Sequence, residues 1–184
     1  GYQNIAGQGT GGQSSYGLMA GNAASNTWSA PYVFKLNVAN SGDVLNGNTT
    51  LVAGQWYHLA HTRTSGVNRL FVDGVVQTNT YTDNTSRTFA GNPYLIGNNS
   101  NGYVSNFRFI QGTSLYTTTF TPPTSPLTAV SGTQLLTLQS TTFIDNSTNN
   151  FTITAFGNSQ PTQQNPFGFT SALTNGYTVS TIGG

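Results

Sequence analysis

An Asp-Gly pair between alternating runs constrains the fold of this chain more than any other feature. Residues 57–63 alternate with the two-residue period of a β-strand, residues 69–72 are predicted as a second strand, and Asp73-Gly74 separates this second strand from Val75-Val76. An Asp-Gly pair favours a type I′ turn, because both central residues of that turn need positive φ. Residues 64–68 form a further turn in polar sequence. The stretch therefore predicts antiparallel strands joined by tight turns.

Further alternating runs continue this pattern along the chain. Residues 103–110 place Tyr103, Phe107 and Phe109 on one face. Strands are also predicted at residues 2–6, 16–20, 31–38, 94–97, 134–139 and 151–156, and Asn46-Gly47 is predicted to close another hairpin. No window of a dozen residues shows a helical period. Antiparallel strands with one apolar face pack most simply on another sheet, so the sequence predicts an all-β, antiparallel β-sandwich.

Composition excludes several classes of protein. Only 5% of the 184 residues are charged, and the formal net charge is +1. The five basic residues are scattered, so we expect no nucleic-acid binding. The absence of cysteine excludes disulfides and thiolate metal sites. No apolar run has the length of a membrane helix, so we expect no membrane insertion. A chain rich in Thr, Asn, Ser and Gly is typical of particle and cell-surface proteins.

The central motifs resemble a known family. Gly54-Gln55-Trp56-Tyr57-His58-Leu59-Ala60, Arg63 and Arg69-Leu70-Phe71-Val72-Asp73-Gly74 resemble the laminin-G-like, concanavalin A-like jelly-roll domains. Ile96-Gly97, Gly102-Tyr103-Val104-Ser105-Asn106-Phe107-Arg108 and Gly112-Thr113-Ser114-Leu115-Tyr116 extend the resemblance, and Phe120 to Thr128 is similar to the version found in bacteriophage and bacterial surface proteins. The resemblance implies a concanavalin A-like jelly roll. This fold hosts lectins, glycan hydrolases, adhesion modules and structural spacers, so it leaves function open.

The resemblance also implies an organisation of the chain. Residues 1–158 are expected to form the jelly-roll domain without its first strands, because domains of this family usually open with a strand pair before the point where this sequence starts. Residues 159–184 are expected to form a linker and C-terminal segment that leads to a neighbouring repeat or subunit. An unpaired sandwich edge invites strand addition from a neighbour. The alternative is that order in a single domain simply stops here.

Catalysis and metal binding find little support in the sequence. Glycan hydrolases of this fold use a carboxylate pair, but the chain has no Glu and its four Asp residues stand alone, so no enzymatic activity is expected. His58 and His61 are three apart, which puts them on opposite faces of a strand, one packed beneath the sheet and the other solvated. No cofactor is expected beyond a weak Ca²⁺ site formed by Asp83-Asn84 and residues 98–101.

Sugar binding is the functional interpretation to which the residue pattern gives most weight. Neutral glycans are held by aromatic faces and by amide or hydroxyl side chains from loops. Trp28, in a polar loop, is the first candidate, although an edge cap or an inter-subunit anchor is a stronger interpretation of the same residue. Trp56 is expected in the core. The other candidate carbohydrate-binding residues are Tyr16, Tyr32, Tyr81, Asn98, Asn99, Asn101 and Tyr103.

Two function classes follow from the residues and the resemblance. The first is a non-enzymatic structural or decorating module of a phage virion or surface fibre, with host-glycan contact as a secondary role. The alternative is a lectin-like adhesion module of a phage tail or bacterial cell surface. Either implies a virion or extracellular location. The expected partners are copies of the same chain or other subunits of a particle, together with surface glycans.

Overall fold

The computed structural model describes residues 3–8, 16–22, 30–38, 41–86, 93–98 and 100–168, and these residues form antiparallel β-sheets without a helix. The predicted all-β class is confirmed. The ten strands are β1 (Gln3–Gln8), β2 (Tyr16–Asn22), β3 (Tyr32–Val38), β4 (Gly42–Asn46), β5 (Leu59–Thr64), β6 (Val67–Val72), β7 (Val75–Thr82), β8 (Tyr94–Ile96), β9 (Phe107–Ile110) and β10 (Thr133–Thr137). The described part of the chain contains no helix long and apolar enough to cross a membrane.

The strands form two layers. One layer is a five-stranded sheet in the order β4-β3-β2-β1-β8. The other contains the three-stranded sheet β5-β6-β7 and the pair β9-β10. The strand predicted at residues 31–38 is present as β3, and its alternate residues Phe34, Leu36 and Val38 face the second layer and meet Leu70 and Val72 of β6. This buried cluster joins the layers, and each fully buried side chain in it contributes about 1.5–3 kcal/mol.

The Asp-Gly pair forms the turn predicted for it. Asp73 has φ of 48° and Gly74 has φ of 76°, as a type I′ turn between β6 and β7 requires. Ser65 and Gly66 adopt nearly the same angles, 48° and 78°, between β5 and β6. Asp73 also ties the turn to β5, since its carboxylate accepts a hydrogen bond from the His58 backbone N–H at 2.8 Å. Two consecutive hairpins thus build the three-stranded sheet.

Three predicted elements differ from the structure. The strand predicted at residues 103–110 is confined to β9, because Asn106 takes a left-handed conformation with φ of 56° and its side-chain oxygen accepts the Leu127 N–H. Residues 151–156 form no strand, and Phe151 and Phe156 are exposed.

Asn46-Gly47 does not close a hairpin either. The Gly47 N–H bonds to Phe34 of β3. A Cβ at position 47 would lie 3.0 Å from the side-chain oxygen of Gln77, which accepts the N–H groups of Asn48 and Thr49. Gly47 therefore permits a close approach to β7. β4, which the pattern did not predict, pairs with β3 just before this point.

Candidate functional site

Each of the four aspartates holds a different part of the fold. Asp43 forms a buried salt bridge with Lys35 at 2.6 Å, and Lys35 also donates to the Asn22 carbonyl. Asp73 belongs to the turn after β6. Asp83 lies near the opposite end of β6, where its N–H bonds to Gly66. Asp145 lies beyond β10. The four carboxylates therefore bind backbone groups or Lys35 at separate places in the fold. No two of them form the acid–base pair that glycan hydrolysis requires.

Asp145 organises the segment that follows β10. Its two oxygens accept the backbone N–H groups of Leu136, Ser147 and Phe151 at 2.9–3.0 Å, and the Ser147 hydroxyl donates at 2.8 Å. Burial alone would raise the pKa of this carboxyl, but these four hydrogen bonds favour the ionised form and hold the pKa below its usual value. Asp145 is thus a structural anion rather than a candidate acid catalyst.

A polar cluster lies between the layers at the β5–β6 turn. The amide nitrogen of Asn68 donates to the carbonyls of Gly66 and Tyr81, which fixes its oxygen as the acceptor. That oxygen lies 2.9 Å from His61 Nε2 and 3.1 Å from the Tyr16 hydroxyl, and the same hydroxyl lies 3.1 Å from Asp83 Oδ2. His61 therefore carries its proton on Nε2. The cluster connects β2, β5 and β6 and turns its polar atoms inward.

Both histidines are poor proton acceptors. Burial lowers the pKa of His61 to about 4, although the Asn68 hydrogen bond opposes the shift and Arg63 adds to it. Burial also lowers the pKa of His58, where Asp73 opposes the shift and Arg108 adds to it. The rings lie on opposite faces of the chain, as predicted. The expected solvation of one ring is wrong, because Tyr116 and Phe120 cover His58 with ring centroids 6.2 and 5.4 Å away. The described residues contain no group of three or more potential His, Cys, Asp or Glu metal ligands.

The candidate carbohydrate-binding residues do not gather at one place. Trp28 and Asn99 lie outside the described residues. Tyr16 is half-buried with its hydroxyl in the polar cluster, and it packs beside the core. Tyr16 pairs with Val38 at one end of the β2–β3 ladder and Tyr32 pairs with Asn22 at the other. The two tyrosines are thus about 20 Å apart at the rise of a strand.

The remaining candidates divide between the core and one loop. Tyr81 packs against the core cluster and is half-buried. Asn98, Asn101 and Tyr103 share the loop between β8 and β9, where Asn98 is half-buried, Asn101 is exposed and the Asn101 N–H bonds to Gln3 at 2.8 Å. This loop thus contacts the start of β1.

The two halves of the predicted Ca²⁺ site lie apart. The Asp83 carboxylate accepts a hydrogen bond from the Tyr16 hydroxyl, and Tyr16 lies next to the Gly7↔Gly17 pair, where the β1–β2 ladder reaches the end of β1. Ser100 and Asn101 instead bind Asn4 and Gln3, at the start of β1. The described residues therefore do not combine Asp83 with the loop into one ligand set, and Ca²⁺ binding at residues 83–84 and 98–101 finds no support in this arrangement.

Trp56 and Tyr103 form an exposed aromatic pair. Their ring centroids are 6.3 Å apart at an interplanar angle of 38°, and the residues are 38% and 61% exposed. The prediction that Trp56 lies in the core is wrong, because Trp56 precedes β5 and turns toward the β8–β9 loop. Gly54 and Gln55, which precede Trp56, are the sequence feature that indicated an exposed position for this residue. They resemble the polar flanks that drew attention to Trp28.

Both rings line a large cleft between the layers, and their exposure places them at its rim. The cleft has a volume of about 1180 Å³. One wall is formed by residues 55–65, which include β5, and the other by residues 103–116, which include β9. Ile5, Leu18 and Phe34 of the five-stranded sheet form its apolar floor. The structure thus provides a groove that is lined by aromatic, apolar and amide groups, together with the charged side chains of Arg63, Asp73 and Arg108.

Fold and site together define a β-sandwich module with an open cleft and an aromatic rim. The sequence model of the concanavalin A-like lectin/glucanase superfamily, Laminin_G_3, matches residues 2–123, and the chain belongs to this family. The resemblance to the laminin-G-like, concanavalin A-like domains is thereby confirmed. No curated protein and no solved structure matches the chain.

Proposed function

We propose that this protein is a non-enzymatic module of a phage virion or bacterial surface fibre that contacts neutral glycans through Trp56 and Tyr103. The observation that carries the glycan contact is the exposure of this aromatic pair at the rim of the cleft. Sugar rings present an apolar face that packs on aromatic side chains, and large aromatic residues exposed together are a common feature of binding sites. The ligand class needs no charge, in agreement with a chain in which 5% of the residues are charged.

Polar groups beside the pair supply the hydrogen bonds that such a ligand requires. The side-chain oxygen of Gln55 accepts the Tyr57 hydroxyl at 2.9 Å, which orients the amide so that its nitrogen can donate to a ligand. Asn101 is exposed two residues before Tyr103. Both amides are uncharged, and both can serve hydroxyl groups as donors or acceptors. Together they give the rim the composition of a neutral-glycan site.

Placement in a surface assembly is supported by composition and family. A low charge, no cysteine and a high content of Thr, Asn, Ser and Gly suit a particle or fibre protein. The superfamily contains lectins, so a lectin-like adhesion module is the alternative form of the same proposal. Copies of this chain or other particle subunits are the proposed partners, and a virion or extracellular location is the proposed site of action.

A glycan array probed with the full chain, followed by titration calorimetry of the best hit, tests the glycan contact. We expect saturable binding that weakens about tenfold or more in Trp56→Ala and in Tyr103→Ala, which corresponds to about 1.4 kcal/mol. Phe151→Ala is the matched control, because Phe151 is 55% exposed on a different loop. Circular dichroism establishes that each variant is folded.

Two results would contradict the glycan contact. One is an array without a saturable hit, and the other is a hit whose affinity is unchanged by both rim substitutions. Trp28→Ala belongs in the same assay. Loss of binding in that variant alone would assign the glycan site to Trp28, the residue that the sequence favoured.

A further inference from the structure

Two Asn-Gly pairs among the described residues have opposite surroundings. They are Asn46-Gly47 and Asn101-Gly102, and a third pair, Asn175-Gly176, lies outside the described residues. When glycine follows asparagine, its backbone nitrogen can approach the asparagine side-chain carbonyl closely, because glycine has no Cβ and its backbone dihedrals are little restricted. The two described pairs share this local chemistry. A difference in their reactivity therefore comes from the fold.

The fold holds the Asn46-Gly47 pair in place. The Gly47 N–H donates to the Phe34 carbonyl at 2.8 Å, so strand β3 occupies this nitrogen. A Cβ at position 47 would lie 3.0 Å from Gln77 Oε1 and 3.1 Å from the Phe34 carbonyl oxygen, so little space surrounds the backbone here. The Asn46 carbonyl accepts the Asn79 side-chain amide at 3.2 Å, and the Asn46 side-chain oxygen is buried. Turning the Gly47 nitrogen toward the Asn46 side chain therefore breaks existing hydrogen bonds.

The Asn101-Gly102 pair has none of these restraints among the described residues. Both residues are exposed. The Gly102 N–H and the Asn101 side-chain amide form no hydrogen bond with any described residue. No atom lies within 4 Å of a Cβ built on Gly102. The Gly102 nitrogen and the Asn101 side-chain carbon can therefore reach reacting distance without breaking a hydrogen bond of the described structure.

We propose that Asn101 is a site of spontaneous deamidation and isomerisation, and that the fold protects Asn46 from the same reaction. The Gly102 nitrogen loses its proton to hydroxide and forms a bond to Cγ of Asn101. The side-chain nitrogen takes up a proton from water and leaves as ammonia, so a cyclic imide closes. Water then opens the ring at one of its two carbonyls, to give aspartate or isoaspartate. The sum is asparagine and water to either product and ammonia.

The neighbours of Asn101 determine which part of the chain this change affects. The backbone before it is attached to β1, because the Asn101 N–H donates to Gln3 Oε1 at 2.8 Å and the Ser100 hydroxyl donates to the Asn4 carbonyl at 2.6 Å. Tyr103 follows two residues later and is 61% exposed. The main-chain atom that isoaspartate adds therefore displaces Tyr103 rather than the attached side. Either product also adds a carboxylate, which cancels the formal net charge of +1.

Peptide mapping of the full chain by mass spectrometry, after incubation at mildly alkaline pH, tests the proposal. We expect deamidation, a mass increase of about one dalton, to accumulate at least tenfold faster at Asn101 than at Asn46. In concentrated urea the two pairs should react at similar rates, because the fold no longer distinguishes them. Electron-transfer fragmentation should detect isoaspartate at position 101.

Gly102→Ala is the variant that tests the route. The added Cβ should slow deamidation at Asn101 about tenfold, because it hinders the approach of the attacking nitrogen. The same Cβ meets no atom within 4 Å, so the fold should be unchanged, and circular dichroism establishes this. The Asn46-Gly47 pair in the same sample is the matched control and should react no faster than in the unmodified chain.

Three results would overturn the proposal. The first is an Asn101 that stays intact in the folded chain, and the second is equal rates at Asn101 and Asn46 in the folded chain. The third is deamidation at Asn101 without isoaspartate and without an effect of Gly102→Ala, which would assign it to direct hydrolysis of the side chain. Should Gly102→Ala unfold, the isoaspartate measurement in the unmodified chain decides the route. The reaction needs no glycan and its assay contains none, so this proposal and the glycan contact can each fail alone.

Discussion

His61 shows how a single side chain couples this fold to pH. The ring lies between the layers beside Tyr16, with a centroid distance of 5.6 Å, and its Nε2–H donates to Asn68. A proton on Nδ1 would put a charge in a buried cluster next to Arg63, which is the physical reason for the low pKa. The neutral ring is thus part of the folded structure.

We expect the free energy of unfolding to fall as pH drops from about 6.5 to about 4. In this window the unfolded chain binds a proton at His61 and the folded chain does not, because the folded pKa is about 4 and the ordinary value is about 6.5. His61→Gln keeps a donor toward Asn68 and should reduce the slope by up to about 1.4 kcal/mol per pH unit. Urea titrations at several pH values measure the slope.

The slope that remains in His61→Gln should come largely from His58, whose pKa is also lowered by burial. The double variant with His58→Gln should therefore be nearly flat over the upper part of the same window, because Asp145, whose pKa is lowered in the folded chain, contributes a slope only near pH 4. Equal slopes in the unmodified chain and in His61→Gln would contradict the assignment to His61.

At the scale of elements, the turn between β6 and β7 is clamped by the segment after β9. The Phe120 N–H donates to the Gly74 carbonyl at 3.0 Å, and the Phe120 ring stacks on Tyr116 with centroids 3.5 Å apart. Phe71 of β6 packs against the Phe120 ring at 5.5 Å. The turn and the aromatic cover of His58 are thus one packed unit.

Gly74→Ala should destabilise the protein by about 3 kcal/mol or more. The left-handed φ alone costs about 1–2 kcal/mol in a residue with a Cβ. A Cβ at position 74 would also meet the Phe120 carbonyl oxygen at 1.9 Å, so the clamp must move. Gly54→Ala is the matched control, because Gly54 has φ of 82° and no atom within 4 Å of the added Cβ. Guanidinium unfolding of the two variants measures the difference, and equal losses would contradict the clamp.

The whole molecule depends on the buried cluster that joins the two layers. Phe34, Leu36, Val38 and Leu45 come from one sheet, and Leu70 and Val72 come from β6 of the other. Gln77 adds a polar connection by binding the backbone that leaves β4. Neither layer buries its apolar face without the other, so the two should unfold together.

Leu70→Ala tests this coupling. Leu70 is fully buried, and the substitution should cost about 2–5 kcal/mol. Far-ultraviolet circular dichroism and tryptophan fluorescence should give coincident transitions at a lower denaturant midpoint. Val75→Ala, at a position 53% exposed, should change the midpoint little. A shift seen with only one probe would show that the layers unfold separately.

The amino-acid sequence was sufficient for the features that depend on near neighbours. The pattern of residues 31–38 predicted the strand β3, and Asp73-Gly74 predicted a turn whose φ angles the structure confirms. The order of motifs identified the family. Strand period and turn chemistry act over a few residues, which is why they can be read locally.

Tertiary structure decided what each side chain meets. Asn106 interrupts the alternation of residues 103–110, because its side chain and backbone bind Leu127 and Leu138. Phe120 covers His58, which lies 62 positions earlier in the chain. Trp56 turns toward Tyr103 instead of the core. The division of the described strands into sheets, with β5 beside β6 and β9 beside β10, likewise emerges only from the sheet order. Burial and pairing depend on residues brought together across the whole chain, and the local pattern does not contain that information.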